Sequence, residues 1–342
     1  ARLFGDRRTI LYDDEASLAR TKRALNRPNV EPASHGYAHP LVWRTGKLAL
    51  RVPRYTMDAR REIEGSARLL EQRFLPSARR IGLFQWTGDC LPTEDDLRIA
   101  QQAGLAQLNG GGGRFDRSSP SYAGLFPLSR KVGAFRQIYA PASNENDYTN
   151  LWSGPYYGYR EAVETFTRTG APRRVKPVDV YVHFYSAERY AAVEALRTVY
   201  AWARAQPLIP VFGGRYADIA DAFFEMRVLR SGPRRFRLEG GAALRTVRFD
   251  GEAGVPDLRA SRGVIGWKRE LGSLFVHLDS SEAREIALVD RALPGPRLED
   301  ANFEIESWRV DGEKVSLLKR GWWSAEMTLA GLRPGAAYRV TG

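Results

Sequence analysis

Two hydrophobic periodicities share this chain, and the change from one to the other limits what it can fold into. Up to about residue 225, helical patterns alternate with short apolar runs of strand character. Helices are expected over 16–25, 56–74, 156–167, 187–205 and 215–227, with a short one after Thr93 that ends before Gly104. In the segment 56–74, Ile63, Ala67, Leu70 and Phe74 recur at helical spacing and mark the buried face. Strands are expected over 81–86, 105–108, 178–184 and 207–212. Such alternation implies parallel β/α units, whose chemistry collects at the C-terminal ends of the strands.

Beyond residue 230 the texture is different. Short alternating segments over 244–249, 263–267, 274–278, 286–289, 303–310, 314–318, 323–329 and 337–340 are split by Gly, Pro and Asp. Asp311-Gly312 is a two-residue hairpin signal. This half reads as an all-β antiparallel sandwich. The expected boundary lies at Arg230–Pro233, giving an α/β domain over 1–229 and a β-sandwich over 230–342.

No segment approaches the roughly 18 apolar residues that span a bilayer, so no membrane span is expected. The chain starts at Ala1 without a signal peptide and reads as a piece of a longer protein. One cysteine, Cys90, excludes an internal disulfide and a Cys-rich zinc site. The net charge of +12 is mostly arginine in scattered pairs, such as Arg60-Arg61 and Arg173-Arg174. No nucleic-acid-binding motif accompanies it, so a solvated basic surface is expected and no nucleic-acid partner.

The chain holds four histidines, and three occupy expected strand ends. His35 and His39 stand in Ser34-His35-Gly36-Tyr37-Ala38-His39-Pro40, and His183 closes Val178-Asp179-Val180-Tyr181-Val182. Two neutral imidazoles four residues apart can hold one divalent ion, and they leave positions open for water and a substrate carbonyl. A third imidazole on another strand suits a general acid.

Ser-His-Gly-Tyr-Ala-His-Pro resembles the second motif of the NodB-like polysaccharide deacetylases, and the apolar strand ending in His183 resembles their last motif. The segments Phe84-Gln85-Trp86-Thr87-Gly88-Asp89, Asn109-Gly110-Gly111 and Asn144 to Gly158, with His183-Phe184-Tyr185-Ser186, are similar to the deacetylase region of Pel-type exopolysaccharide-modifying proteins. The resemblance covers roughly residues 30–225. It implies a partial (β/α) barrel of NodB-like type, one divalent metal ion (zinc first), and removal of N-acetyl groups from an N-acetylgalactosamine-rich polymer. A biofilm setting, a periplasmic location and a secretion-complex partner are implied with it.

Carried to matching positions, His35 and His39 become metal ligands and His183 the general acid. Asp89 becomes a catalytic candidate that orients another group or binds sugar hydroxyls. Trp86, Asn109, Asn146, Tyr156, Tyr157 and Tyr185 are the expected substrate-binding residues, the aromatic ones as platforms for pyranose rings. The family's first motif carries two aspartates, a base and a third metal ligand. Asp13-Asp14 imitate it but only 20 residues lie between Asp14 and His35, so the true pair is expected upstream of Ala1. That departure supports an alternative reading, a catalytically incomplete module that binds polysaccharide or a partner. Cys90 reads as a small buried thiol, and Asn109 to Gly113 as a strand-end turn rather than a phosphate loop.

Overall fold

A computed structural model describes residues 15–140, 143–312 and 314–339, with Tyr185 described by its backbone only. The chain divides into two compact units, residues 1–208 with 212–217, and residues 209–211 with 218–342. The division therefore falls earlier than Arg230–Pro233. Those residues belong to a hairpin in which strand Arg227–Gly232 pairs antiparallel with Arg235–Glu239.

In the first unit, Leu83–Gln85 and Ala106–Leu108 pair in parallel, and Ser34 adds a parallel bridge to Phe84 on the other side. A second parallel pair joins Ser143–Asn144 to Val180–Tyr181. Parallel pairing is what the β/α alternation implies. Among the described residues these strands form two separate short ladders, and no closed barrel. Each runs only two or three residues.

Two apolar cores support these ladders. Trp43, Ile63, Phe84, Trp86 and Leu97 build the first. Its aromatic rings meet edge to face, with Trp86 4.9 Å from Trp43 and 5.0 Å from Phe84 between centroids, the arrangement that ring quadrupoles favour. Tyr148, Tyr159, Phe166 and Val199 build the second. Helix Glu94–Gln102 starts as expected at Thr93, whose hydroxyl accepts from the Asp96 amide while the Asp96 carboxylate accepts from the Thr93 amide.

The expected helix over 56–74 is helical from residue 59, with a π-helical turn at Arg61–Gly65, and continues as Ser66–Phe74. Ile63, Ala67 and Phe74 are buried, as its periodicity requires. Other helices are Glu15–Leu25, Ala162–Arg168, Tyr190–Arg204 and Gly213–Glu225. Residues 207–212 form no strand; the apolar run Leu208-Ile209-Pro210-Val211 finds no ladder partner, and prolines at 207 and 210 remove two donors.

The second unit carries a four-stranded sheet in the order Val255–Pro256, Arg284–Val289, Arg235–Glu239, Arg227–Gly232. Its five-stranded sheet runs Thr246–Asp250, Ser273–Leu278, Val264–Glu270, Arg297–Ala301, Met327–Ala330. Leu238, Ile286 and Leu288 of the first sheet share one core with Leu274, Val276 and Leu278 of the second, as two facing sheets do. Asp311-Gly312 turns the hairpin between Glu304–Asp311 and Lys314–Arg320. Pairing is antiparallel throughout except where Gly266 meets Leu298 in parallel. That contact requires glycine, since a Cβ at 266 would lie 1.9 Å from the Leu298 carbonyl oxygen. Residues 337–339 add no strand.

Candidate functional site

His35 leaves the sheet directly after the Ser34 bridge, where Ser34 N donates to Leu83 O and Gln85 N donates to Ser34 O. Its Nδ1 lies 2.9 Å from the Gln85 carbonyl oxygen. A carbonyl can only accept, so Nδ1 carries the proton and Nε2 keeps its lone pair. Burial lowers the His35 pKa to about 4, against the pull of the Gln85 bond and helped by nearby His39 and His183. Burial lowers the His39 pKa as well, with Glu62 pulling the other way and His183 adding to the lowering. Both rings are therefore neutral near pH 7 and available as ligands.

The two rings meet edge-on with centroids 5.1 Å apart. Two imidazoles bound tetrahedrally to one zinc at about 2.0–2.1 Å would put their centroids roughly 5 Å apart. Nδ1 of His39 is buried and has no hydrogen-bond partner outside its own residue among the described residues, and His39 sits at φ 57. A buried nitrogen without a partner, on a strained backbone, is what an ion-holding loop would present. The pair thus fits a metal. No third His, Cys, Asp or Glu joins it in a metal-holding group among the described residues. Asp13 and Asp14 lie outside those residues.

The loop between the histidines is held from beneath by Glu62, a residue the sequence reading passed over. Its buried carboxylate accepts from Tyr37 N at 2.7 Å, from Ala38 N at 2.9 Å and from the Tyr55 hydroxyl at 2.7 Å. Gly36 allows this approach: its φ is +91, and a Cβ there would stand 3.0 Å from Glu62 Oε2. Glu62 lies in the π-helical turn, a device that recurs at functional sites.

His183 is gripped by Glu145. One carboxylate oxygen, Oε1, accepts from the His183 amide and from its Nδ1, both at 2.9 Å, and from Trp152 Nε1 at 2.7 Å. The other accepts from the Ser186 hydroxyl at 2.5 Å. Burial alone would raise the Glu145 pKa, but the bonds from His183, Ser186 and Trp152 outweigh it and hold the carboxyl below its ordinary value. Asn150, Leu151 and Trp152 all take positive φ, a run that costs roughly 1–2 kcal/mol per residue. It brings Trp152 against the His183 ring at 4.8 Å. Glu145 is 38 residues from His183, and only the parallel pairing of their strands unites them.

Three expected site residues have other duties. Trp86 is fully buried in the first core with Nε1 bound to Gln107 Oε1 at 2.8 Å, so it offers no face to a sugar. Asn109 is buried and its amide is engaged by Trp86 O, the Tyr181 hydroxyl and Gly110 N. It clasps one parallel ladder to the other instead of facing a cleft. Asp89 Oδ1 accepts from the amides of Leu91 and Trp43, while its own amide donates to Leu41 O. It braces the chain after His39, with Thr87 Oγ1 donating to Pro40 O at 2.6 Å. Gly88 makes the brace possible, since a Cβ there would meet Leu41 O at 2.4 Å.

The remaining expectations fare differently. Asn146 has a buried side-chain oxygen with no hydrogen-bond partner among the described residues. Tyr156 lines a cavity of about 140 Å3 together with Glu145, Trp152, Ser186 and Arg189, and Arg189 lies 5.0 Å from its ring centroid. Tyr157 is half exposed beneath Arg160. The Tyr185 side chain lies outside the described atoms. Cys90 is partly buried, its thiol pushed up to about 12 by burial and by Asp89, so it stays protonated and inert.

No family model, curated protein or solved structure matches the chain. No helix among the described residues is long and apolar enough to cross a membrane.

Proposed function

We propose that the first unit is a metal-dependent polysaccharide N-deacetylase of NodB-like type, with His35 and His39 as two ligands of one divalent ion. The observation that carries this reading is the convergence of two neutral imidazoles with a third that a buried carboxylate orients. When bound, zinc or a similar ion lowers the pKa of water and polarises an acetyl carbonyl.

The chain's own residues supply the rest. Gln85 fixes the tautomer of His35, and Glu62 sets the path of the His35–His39 loop. Glu145 accepts the Nδ1 proton of His183 and orients the ring, so that Nε2 is the nitrogen through which a proton would pass to the leaving amine. Tyr156 lines the cavity beside Glu145 and is suited to a sugar ring face, and Asn146 follows Glu145 in the chain with a side-chain oxygen that has no partner among the described residues. The acceptor for the water proton is expected from a first-motif aspartate. The substrate proposed is an N-acetylgalactosamine-rich exopolysaccharide of Pel type, met in the periplasm, with an export protein as partner.

Acetate release from N-acetylgalactosamine oligomers tests this directly. It should require zinc, stop with chelator, and fall at least a hundredfold in His35→Ala and His183→Ala. One observation favours a second reading: no three-residue metal-holding group exists among the described residues. A binding module would hold the polymer saturably, unaffected by chelator or by His35→Ala.

A further inference from the structure

A cavity lined wholly by residues of the second unit plays no part in the deacetylase reading. It encloses about 400 Å3 among Trp267, Trp308, Arg259, Arg297, Pro256 and Pro294. That volume falls within the range of about 300–1,000 Å3 typical of small-ligand sites. Trp267 comes from strand Val264–Glu270, Arg297 opens strand Arg297–Ala301, and Trp308 comes from Glu304–Asp311. Three sheet strands thus fix the two indoles and one guanidinium, while the loop Ala292 to Pro296 forms a proline-stiffened rim.

The Arg297 guanidinium lies 4.3 Å from the Trp267 centroid, and its Nε is buried with no hydrogen-bond partner. Among the described residues neither Arg297 nor Arg259 forms an ion pair. Several carboxylates of this unit are engaged elsewhere. Asp300 and Glu270 hold Lys268, Glu252 and Asp290 hold Arg234, and Asp257 caps the turn carrying Arg259. Stacking on indole leaves the guanidinium edge free to fork onto a planar anion.

We propose that this cavity binds a carboxylate-bearing sugar, a uronic acid unit of an acidic polysaccharide. Arginine recognises the carboxylate, and the tryptophan and proline walls receive the C–H face of the pyranose. A concave, ring-sized site suits one or two sugar units better than a flat protein epitope. The same charge disfavours an amine-bearing polymer such as a deacetylated product. The unit would tether the chain to acidic polysaccharide while chemistry proceeds elsewhere.

Titration calorimetry of the full chain with a galacturonate trisaccharide, a neutral galactose trisaccharide and an acidic hexapeptide tests this. The uronate should bind at least tenfold more tightly than the neutral sugar and the peptide. Arg297→Gln should weaken it at least tenfold, and Arg297→Lys, which keeps charge but not the fork, by a smaller factor. His35→Ala should not alter uronate affinity, which separates this site from the deacetylase site. Equal binding of neutral and acidic sugars, tighter peptide binding, no uronate binding, or an unaffected Arg297→Gln would each overturn the proposal.

Discussion

Glu145 meets the amide and the Nδ1 of His183 with a single oxygen, each at 2.9 Å. A buried carboxylate that binds one residue twice fixes both the backbone path and the ring's tautomer. In Glu145→Gln the shape survives but the anion does not. Turnover of N-acetylated oligomer should fall by about a hundredfold or more, the scale of a lost general acid. Binding should hold, with KM within about threefold of the parent. Unchanged turnover would remove His183 from the chemistry.

Glu62 should govern metal affinity without touching the metal. Glu62→Ala leaves the amides of Tyr37 and Ala38 without this acceptor and takes from the Tyr55 hydroxyl its shortest bond, a loss of about 2–4 kcal/mol in stability. Zinc affinity, measured by competition with a chromogenic chelator, should drop about 10–100-fold. Tyr55→Phe removes one donor only and should cost about 0.5–1.5 kcal/mol. If zinc binding is indifferent to Glu62, the loop does not depend on this carboxylate.

Trp86 separates core from platform. Because it is fully enclosed by Trp43 and Phe84, Trp86→Ala should destabilise the chain by about 3–5 kcal/mol in denaturant unfolding. A stable variant with a raised KM for oligosaccharide would return the residue to the substrate cleft.

Asp179 has no hydrogen bond or ion pair among the described residues, and Tyr159, Tyr181, Tyr200 and Tyr216 sense its charge. Burial raises its pKa from 3.8 to about 6. Between those values the folded form holds a proton that the unfolded form has released, so stability falls as pH rises through this window and stays low above it. Asp179→Asn should therefore raise Tm little at pH 4 and progressively more up to pH 6–7, with no further gain beyond. A pH-independent difference would place the carboxyl in contact with water.

Local chemistry was legible in the sequence where it depends on neighbours in the chain. The Thr93–Asp96 capping box, the Asp311-Gly312 hairpin and the apolar face of Ile63, Ala67 and Phe74 all stand as expected. His35 and His39 meet edge to face, as neighbours four residues apart in one loop can. Glu145 and Glu62 were not legible, because their partners lie 38 and 25 residues away and meet them only through folding. A signal for Glu62 existed: with Ser66 it sits at i,i+4 beside the apolar stripe, where a carboxylate needs a buried partner. Trp86 and Asn109 misled for the opposite reason. Strand ends of this kind are functional at some positions and structural at the next, and only burial separates them.

The central claim is that His35 and His39 hold an ion that enables amide hydrolysis. The most direct measurement is acetate released from an N-acetylgalactosamine oligomer, with zinc, with chelator, and in His35→Ala. The account predicts release with zinc that chelator and the substitution both abolish. Release that persists in chelator or in His35→Ala, or no release at saturating zinc while polymer binding continues unchanged, would contradict it.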